Sequence, residues 1–111
     1  MNIRQKDLVL LPFPFSDLQS SKVRPALVVS NDSVNDNAAD CIMVPLTSVI
    51  KDEAHSILIR QGNLATGKLV KPSRIRVDKI FTVEKRLVKL VIGHLNDSTF
   101  EKVRNEISKL F

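Results

Sequence analysis

The chain has no tryptophan and no tyrosine, and five phenylalanines among 111 residues. Aromatic platforms are scarce, which excludes a surface that holds nucleic acid by stacking many bases. One cysteine, Cys41, leaves no partner for an internal disulfide and points to a reducing, cytoplasmic setting. Beside Ile42, Met43 and Val44 it reads as a small buried apolar residue rather than a nucleophile. The two histidines, His55 and His94, stand far apart without a fixed Cys/His spacing, so no metal or cofactor is expected and both read as surface or turn residues. No phosphate-binding glycine loop, dinucleotide glycine motif or nucleophile elbow occurs. No apolar run has the length of a membrane span, and the N-terminal stretch lacks a signal-peptide core. Internal repeats, low-complexity tracts and interdomain linkers are absent as well.

What is there fits a soluble single domain over residues 1–111, with 43% hydrophobic and 26% charged residues. The formal net charge of +5 is unevenly spread. Residues 1–59 carry five Lys/Arg against seven Asp/Glu, a net of −2, whereas residues 60–111 carry twelve against five, a net of +7. A one-sided basic surface is the footprint of a polyanion or an acidic protein partner, although the same charge also serves solubility.

The segments alternate between strand and turn signals. A near-continuous apolar run, Asp7–Pro12, reads as a strand buried on both faces. Pro12 and Pro14 end its pairing, and a loop with Phe13, Phe15 and a polar tip at Ser20–Lys22 follows; both phenylalanines are expected in the core, with a clamp on a base as the alternative. Arg24 and Pro25 precede a second strand, Ala26–Ser30, with Pro25 suited to a strand start and Arg24 at the strand mouth. Residues 31–37 (NDSVNDN) form a turn cluster. Cys41–Leu46 is the third strand, where Pro45 signals a bulge or an edge. Short strands are expected at Ile57–Ile59 and Lys68–Val70. A half-buried one with a charged face is expected at Arg74–Ile80, with Phe81–Val83 continuing it, and a last one at Leu87–Ile92. Beyond Asn96, Phe100, Val103, Ile107 and Leu110 recur at helical spacing, with Asn96 or a Ser98–Glu101 box as the cap. Short strands and one terminal helix predict a small, mainly antiparallel barrel or sandwich.

Among the chemistry-bearing residues, Arg24 and Thr47 stand out. If strands two and three are antiparallel neighbours, the start of one lies beside the end of the next, and a guanidinium meets a hydroxyl. That pair suits charge developing on a phosphate. The plainer alternatives are an Arg24 ion pair at the sheet surface and Thr47–Ser48 hydroxyls bonded to their own backbone.

Five stretches in order resemble the MazF/PemK family, the toxins of type II toxin–antitoxin modules. They are 7–16 (DLVLLPFPFS), 22–32 (KVRPALVVSND), 45–48 (PLTS), 71–82 (KPSRIRVDKIFT) and 93–97 (GHLND). The resemblance implies an SH3-like antiparallel β-barrel with a C-terminal helix, a homodimer, and a metal-independent endoribonuclease acting on single-stranded RNA. An acidic antitoxin with a flexible tail is the implied partner. Arg24 and Thr47 become the catalytic pair, and Ser16, Lys22, Ser48, Lys71, Arg74 and Lys79 the expected RNA contacts, with the loop of residues 13–23 closing on the substrate. The alternatives are a non-catalytic binding toxin of the same fold, of the gyrase-inhibiting type, and a basic RNA-binding barrel. Two departures are visible. Lys6 stands where many members have Gly, and Lys79-Ile-Phe-Thr82 stands where many read Gln-Ile-Arg-Thr, so no cleavage sequence is carried over.

Overall fold

The computed structural model describes residues 2–13 and 22–111. Its strands are β1 (Asp7–Phe13), β2 (Lys22–Val28), β3 (Asp40–Thr47), β4 (Ser56–Ile59), β5 (Leu64–Gly67), β6 (Ser73–Arg76), β7 (Phe81–Glu84) and β8 (Leu90–Leu95). They pair in the order β4-β6-β3-β2-β1-β8-β5, with β7 joined to β3 beside this path, and each pairing is antiparallel. Two helices, α1 (Asp32–Asn37) and α2 (Asp97–Ser108), complete the described chain. The result is a mainly antiparallel half-barrel with a C-terminal helix, as expected. No described helix is long and apolar enough to cross a membrane.

The continuous apolar runs of β1, β2 and β3 arise because these strands carry core on both faces. Val9, Leu11, Ala26, Val28, Cys41 and Met43 point into one cluster; Leu8, Leu27, Val44 and Leu46 point into the other. The period of two along each strand sends alternate residues to opposite sides. Helix α2 covers the second cluster with Phe100 and Val103, both buried. Burying each such side chain contributes about 1.5–3 kcal/mol. Asn96 is its N-cap, with Oδ1 accepting from Thr99 N at 2.9 Å, while the Ser98 hydroxyl donates to the same oxygen.

Several boundaries differ from the sequence expectation, each for a tertiary reason. β2 begins at Lys22 rather than Ala26, so Pro25 sits inside the strand, opposite Leu10. Over Lys22–Pro25 the strand pairs with β1 alone, because the β3 pairing starts at Ala26. A residue without an N–H is tolerated where one side of the strand is open. Pro45 marks neither a bulge nor an edge. It lies in the gap where β3 exchanges β7 (Asp40–Met43) for β6 (Leu46–Thr47). The chain between β6 and β7 therefore turns at Val77–Ile80, with Lys79 N donating to Arg76 O, instead of running on as one strand.

Residues 31–37 fold into a short helix rather than a turn cluster. Asn31 caps it by accepting from Val34 N, and buried Asn35 exchanges hydrogen bonds with Ser30. The side chains that favour turns also cap helices. β8 starts at Leu90, after a single 3-10 turn over Lys85–Leu87, and it carries the half-buried His94.

Lys68–Val70 is not a strand. β5 ends at Gly67, which faces Gly93 of β8. Gly67 has φ +87°, and a Cβ there would lie 2.2 Å from Ile92 O. Only a glycine allows this approach, and the chain leaves the sheet directly after it. Lys6 has φ 80°, which is why glycine is favoured just before the first strand. Here the lysine holds that backbone while its ammonium reaches Asp97 Oδ1 at 2.8 Å and lies 5.8 Å from the Phe100 ring centroid.

Candidate functional site

A cleft of about 300 Å³ opens beside the free flank of β2. Arg24, Thr47 and Ser48 line it from β2, β3 and the residue after β3, and the stretch Lys68–Lys71 lines it as well. Leu10, Leu46 and Ile92 make its apolar floor.

Register brings the key pair together. Ala26 pairs with Pro45, and two residues further along each strand Arg24 and Thr47 both line the cleft. Arg24 is exposed, since no β3 backbone covers this end of β2. Thr47 is half-buried, and its Oγ1 accepts from Val49 N at 3.2 Å. The backbone bond foreseen as the plain alternative is thus present, and it is compatible with a further role. A hydroxyl oxygen that accepts one hydrogen bond still has its own proton to donate. Ser48 follows as an exposed second hydroxyl.

Three cations line this cleft: Arg24, Lys68 and Lys71. Arg4, Lys6, Arg74, Arg76, Arg86 and Lys109 each meet a carboxylate. Among the described residues, Arg24, Lys68 and Lys71 have no carboxylate partner. Three cations on one partly apolar cleft give it a positive potential suited to an anion.

The remaining sequence-selected residues fall elsewhere. Lys22 is exposed and outside the cleft, two residues from Arg24 on the same face of β2. Arg74 pairs in register with Thr47, but its guanidinium turns to Ser56 Oγ (3.2 Å) and Asp52 (3.6 Å) and does not line the cleft. Lys79 is exposed on the turn after β6, also away from it. Ser16 and Phe15 lie outside the described residues. Phe13 and Phe81 meet edge to face, centroids 5.5 Å apart, and pack on the core cluster around Met43.

Lys68 is the cleft residue that sequence reasoning missed, because its stretch was read as a strand. The available signal was a pair of lysines three apart between Gly67 and Pro72, which is loop punctuation.

Neither histidine joins the cleft. His94 Nδ1 lies 2.9 Å from Asp7 Oδ1, and His55 Nδ1 lies 3.5 Å from Glu106. Among the described residues no group of three His, Cys, Asp or Glu side chains could hold a metal ion.

The chain is a small, mainly antiparallel half-barrel with a C-terminal helix and a cleft at the end of its central strands. The profile of the PemK-like, MazF-like toxins of type II toxin–antitoxin systems matches residues 4–111, and the chain belongs to that family. Solved structures agree in fold. A MazE–MazF complex from Deinococcus radiodurans superposes with a TM-score of 0.81 at 18% identity, over 99% of this chain and 96% of that one. A mycobacterial endoribonuclease in complex with its cognate antitoxin gives 0.77 at 18% identity, over 96% and 92%. The Mycobacterium tuberculosis toxin MazF-mt6 gives 0.75 at 18% identity, over 93% of both chains. Comparison with curated protein sequences gives no match.

Proposed function

We propose that this chain is a toxin that cuts single-stranded RNA by metal-independent transesterification. The 2′-OH beside the scissile phosphate attacks phosphorus and gives up its proton. The bond to the 5′-oxygen breaks, that oxygen takes up a proton, and the ends are a 2′,3′-cyclic phosphate and a 5′-OH. Arg24 stabilises the charge of the phosphorane with its planar fork of donors. Thr47, its oxygen already anchored by Val49 N, donates its proton to a non-bridging oxygen. Ser48 and Lys71 contact phosphate within the cleft; Lys22 and Lys79 meet the strand further out. Arg74, engaged with Ser56 and Asp52, braces the strand behind Thr47. DNA, lacking the nucleophile, stays intact.

The observation that carries this reading is that Arg24 and Thr47, 23 positions apart in the chain, line one cleft. The endoribonuclease among the structural relatives, solved with its antitoxin, lends it support. The same relatives and the net charge of +7 over residues 60–111 support neutralisation by an acidic antitoxin bound to a toxin homodimer.

The test is a long RNA incubated with purified protein in EDTA, with cut sites and end groups mapped. Cyclic phosphate and 5′-OH ends, lost in Arg24→Ala, are expected. Intact RNA at high protein concentration would move the assignment to a non-catalytic binder.

A further inference from the structure

Besides Arg24 and Thr47, the cleft is lined by Lys68–Lys71 and Ser73, which belong to a strap, residues 67–73, pinned at both ends. At its start, Gln61 holds the backbone from two sides. Its Oε1 accepts from Leu69 N at 2.8 Å, and its Nε2 donates to Gly67 O at 3.0 Å. Lys68 N donates to Ile92 O at 3.1 Å, so the strap is tied to β8 as well. At its far end the Ser73 hydroxyl donates to Lys71 O at 3.1 Å, and Pro72 restricts Lys71 to extended backbone. Between the anchors, Val70 stands 87% exposed at the cleft mouth.

This tethering holds the strap in place beside β8. Among the described residues the strap's two lysines, which line the cleft, have no carboxylate partner. One phosphodiester carries one negative charge, whereas Arg24, Lys68 and Lys71 present three positive ones. The surplus fits a run of backbone phosphates rather than a single reacting group.

We propose that Lys68 and Lys71 form a second phosphate grip, which holds the RNA backbone next to the scissile phosphate. Gln61 is the positioning residue that keeps this grip facing Arg24 and Thr47. The inference rests on the reading of the cleft as an RNA-cleaving site. The grip acts on substrate binding, and Arg24 with Thr47 acts on the chemistry. Apolar Leu69 and Val70 between the lysines carry no hydrogen-bonding side chain, so the grip binds independently of base identity.

The experiment measures kcat, KM and binding of an uncleavable RNA with a 2′-deoxy sugar at the cut site, across a salt series. Lys68→Ala with Lys71→Ala is expected to raise KM and Kd about tenfold or more, with kcat within about twofold. Two lost phosphate contacts should flatten the slope of log Kd against log salt by about 1.4. Gln61→Ala should raise KM with kcat retained, and Gln61→Glu, which keeps the acceptor for Leu69 N, should recover part of the loss. Unfolding midpoints near wild type confirm an intact fold. A double variant that folds and cleaves with unchanged KM and salt slope overturns the grip while leaving the cleavage reading in place. A wild-type protein that neither binds nor cuts RNA overturns both.

Discussion

Arg24 and Thr47 line one cleft, each two residues beyond the last pair of β2 and β3, Ala26 with Pro45. The division of labour proposed above rests on that geometry. One residue supplies a fixed cation from an open strand flank, the other a hydroxyl whose oxygen is already held by Val49 N.

Thr47→Val keeps the shape and removes the donor. We expect kcat to fall roughly 10²–10³-fold, as for loss of an oxyanion donor. Thr47→Ser should retain most activity. The unfolding midpoint should move little in either variant, since Val49 N is exposed and finds water. Rate assays paired with thermal melts check this, and an unimpaired Thr47→Val would remove the hydroxyl from the mechanism.

The left-handed backbone at Lys6 predicts an unusual ranking of substitutions. Lys6→Ala keeps φ at 80° and loses the contact with Asp97, so it should destabilise. Lys6→Gly loses the same contact but relieves strain worth roughly 1–2 kcal/mol. Glycine should therefore be the more stable of the two, by about 1 kcal/mol after its larger unfolded-state entropy is counted. Urea titration of the two variants decides the order.

Gly67→Ala should be far more damaging. A Cβ placed 2.2 Å from Ile92 O forces β5 away from β8 at the root of the strap. We expect a loss of more than about 2 kcal/mol, in line with strain at a special backbone site combined with overpacking. Gly62→Ala, where a Cβ meets nothing within 4 Å, is the control and should stay within about 1 kcal/mol.

Stability should fall at both ends of the pH scale, for opposite reasons. Hydrogen bonding and the charge of Lys6 hold the Asp97 carboxyl below its ordinary value. Glu106 is lowered in the same way by Lys109. Burial works against the charge of Asp78, but the Arg76 hydrogen bond and charge outweigh it. These groups contribute stability that is complete above the ordinary carboxylate range, about 4, and is lost as pH falls through their lower folded values. Burial, by contrast, pushes the Cys41 thiol up to about 11. The unfolded chain releases that proton first, so stability declines as pH rises beyond about 8.5. Denaturation from pH 2 to 10 should show a plateau with two falling limbs. Asp97→Asn should shrink the acid limb, and Cys41→Ala should remove the thiol's share of the alkaline one. Cys41 should also resist thiol reagents at pH 8 until the protein unfolds.

Much of the fold was legible in the linear pattern. The apolar run at Leu8–Leu11 announced a strand buried on both sides, and Phe100–Val103–Ile107 announced a helix with one apolar face. Arg24 and Thr47 stood out as polar residues flanking expected strands, and only the family resemblance tied them to catalysis. The misread stretches share a cause. Residues 31–37 carry side chains suited equally to turns and caps, and the buried exchange between Ser30 and Asn35 helps hold them as a helix. Lys68–Val70 looks like a strand locally, but Gln61 and Ile92 take the backbone groups a strand partner would need.

By itself the sequence determined which residues alternate, which faces are apolar, where a glycine or proline limits the backbone, and how the positive charge accumulates after residue 59. Those properties depend on neighbours within a few positions, where sterics and hydrophobic periodicity act. The tertiary structure alone decided which cations remain free. Arg74 was drawn off by Ser56 and Asp52, while Lys68, never a candidate, was turned into the cleft with Arg24. Such outcomes depend on strand partners far away in the chain, and register between distant segments is a collective result of packing that no local pattern encodes.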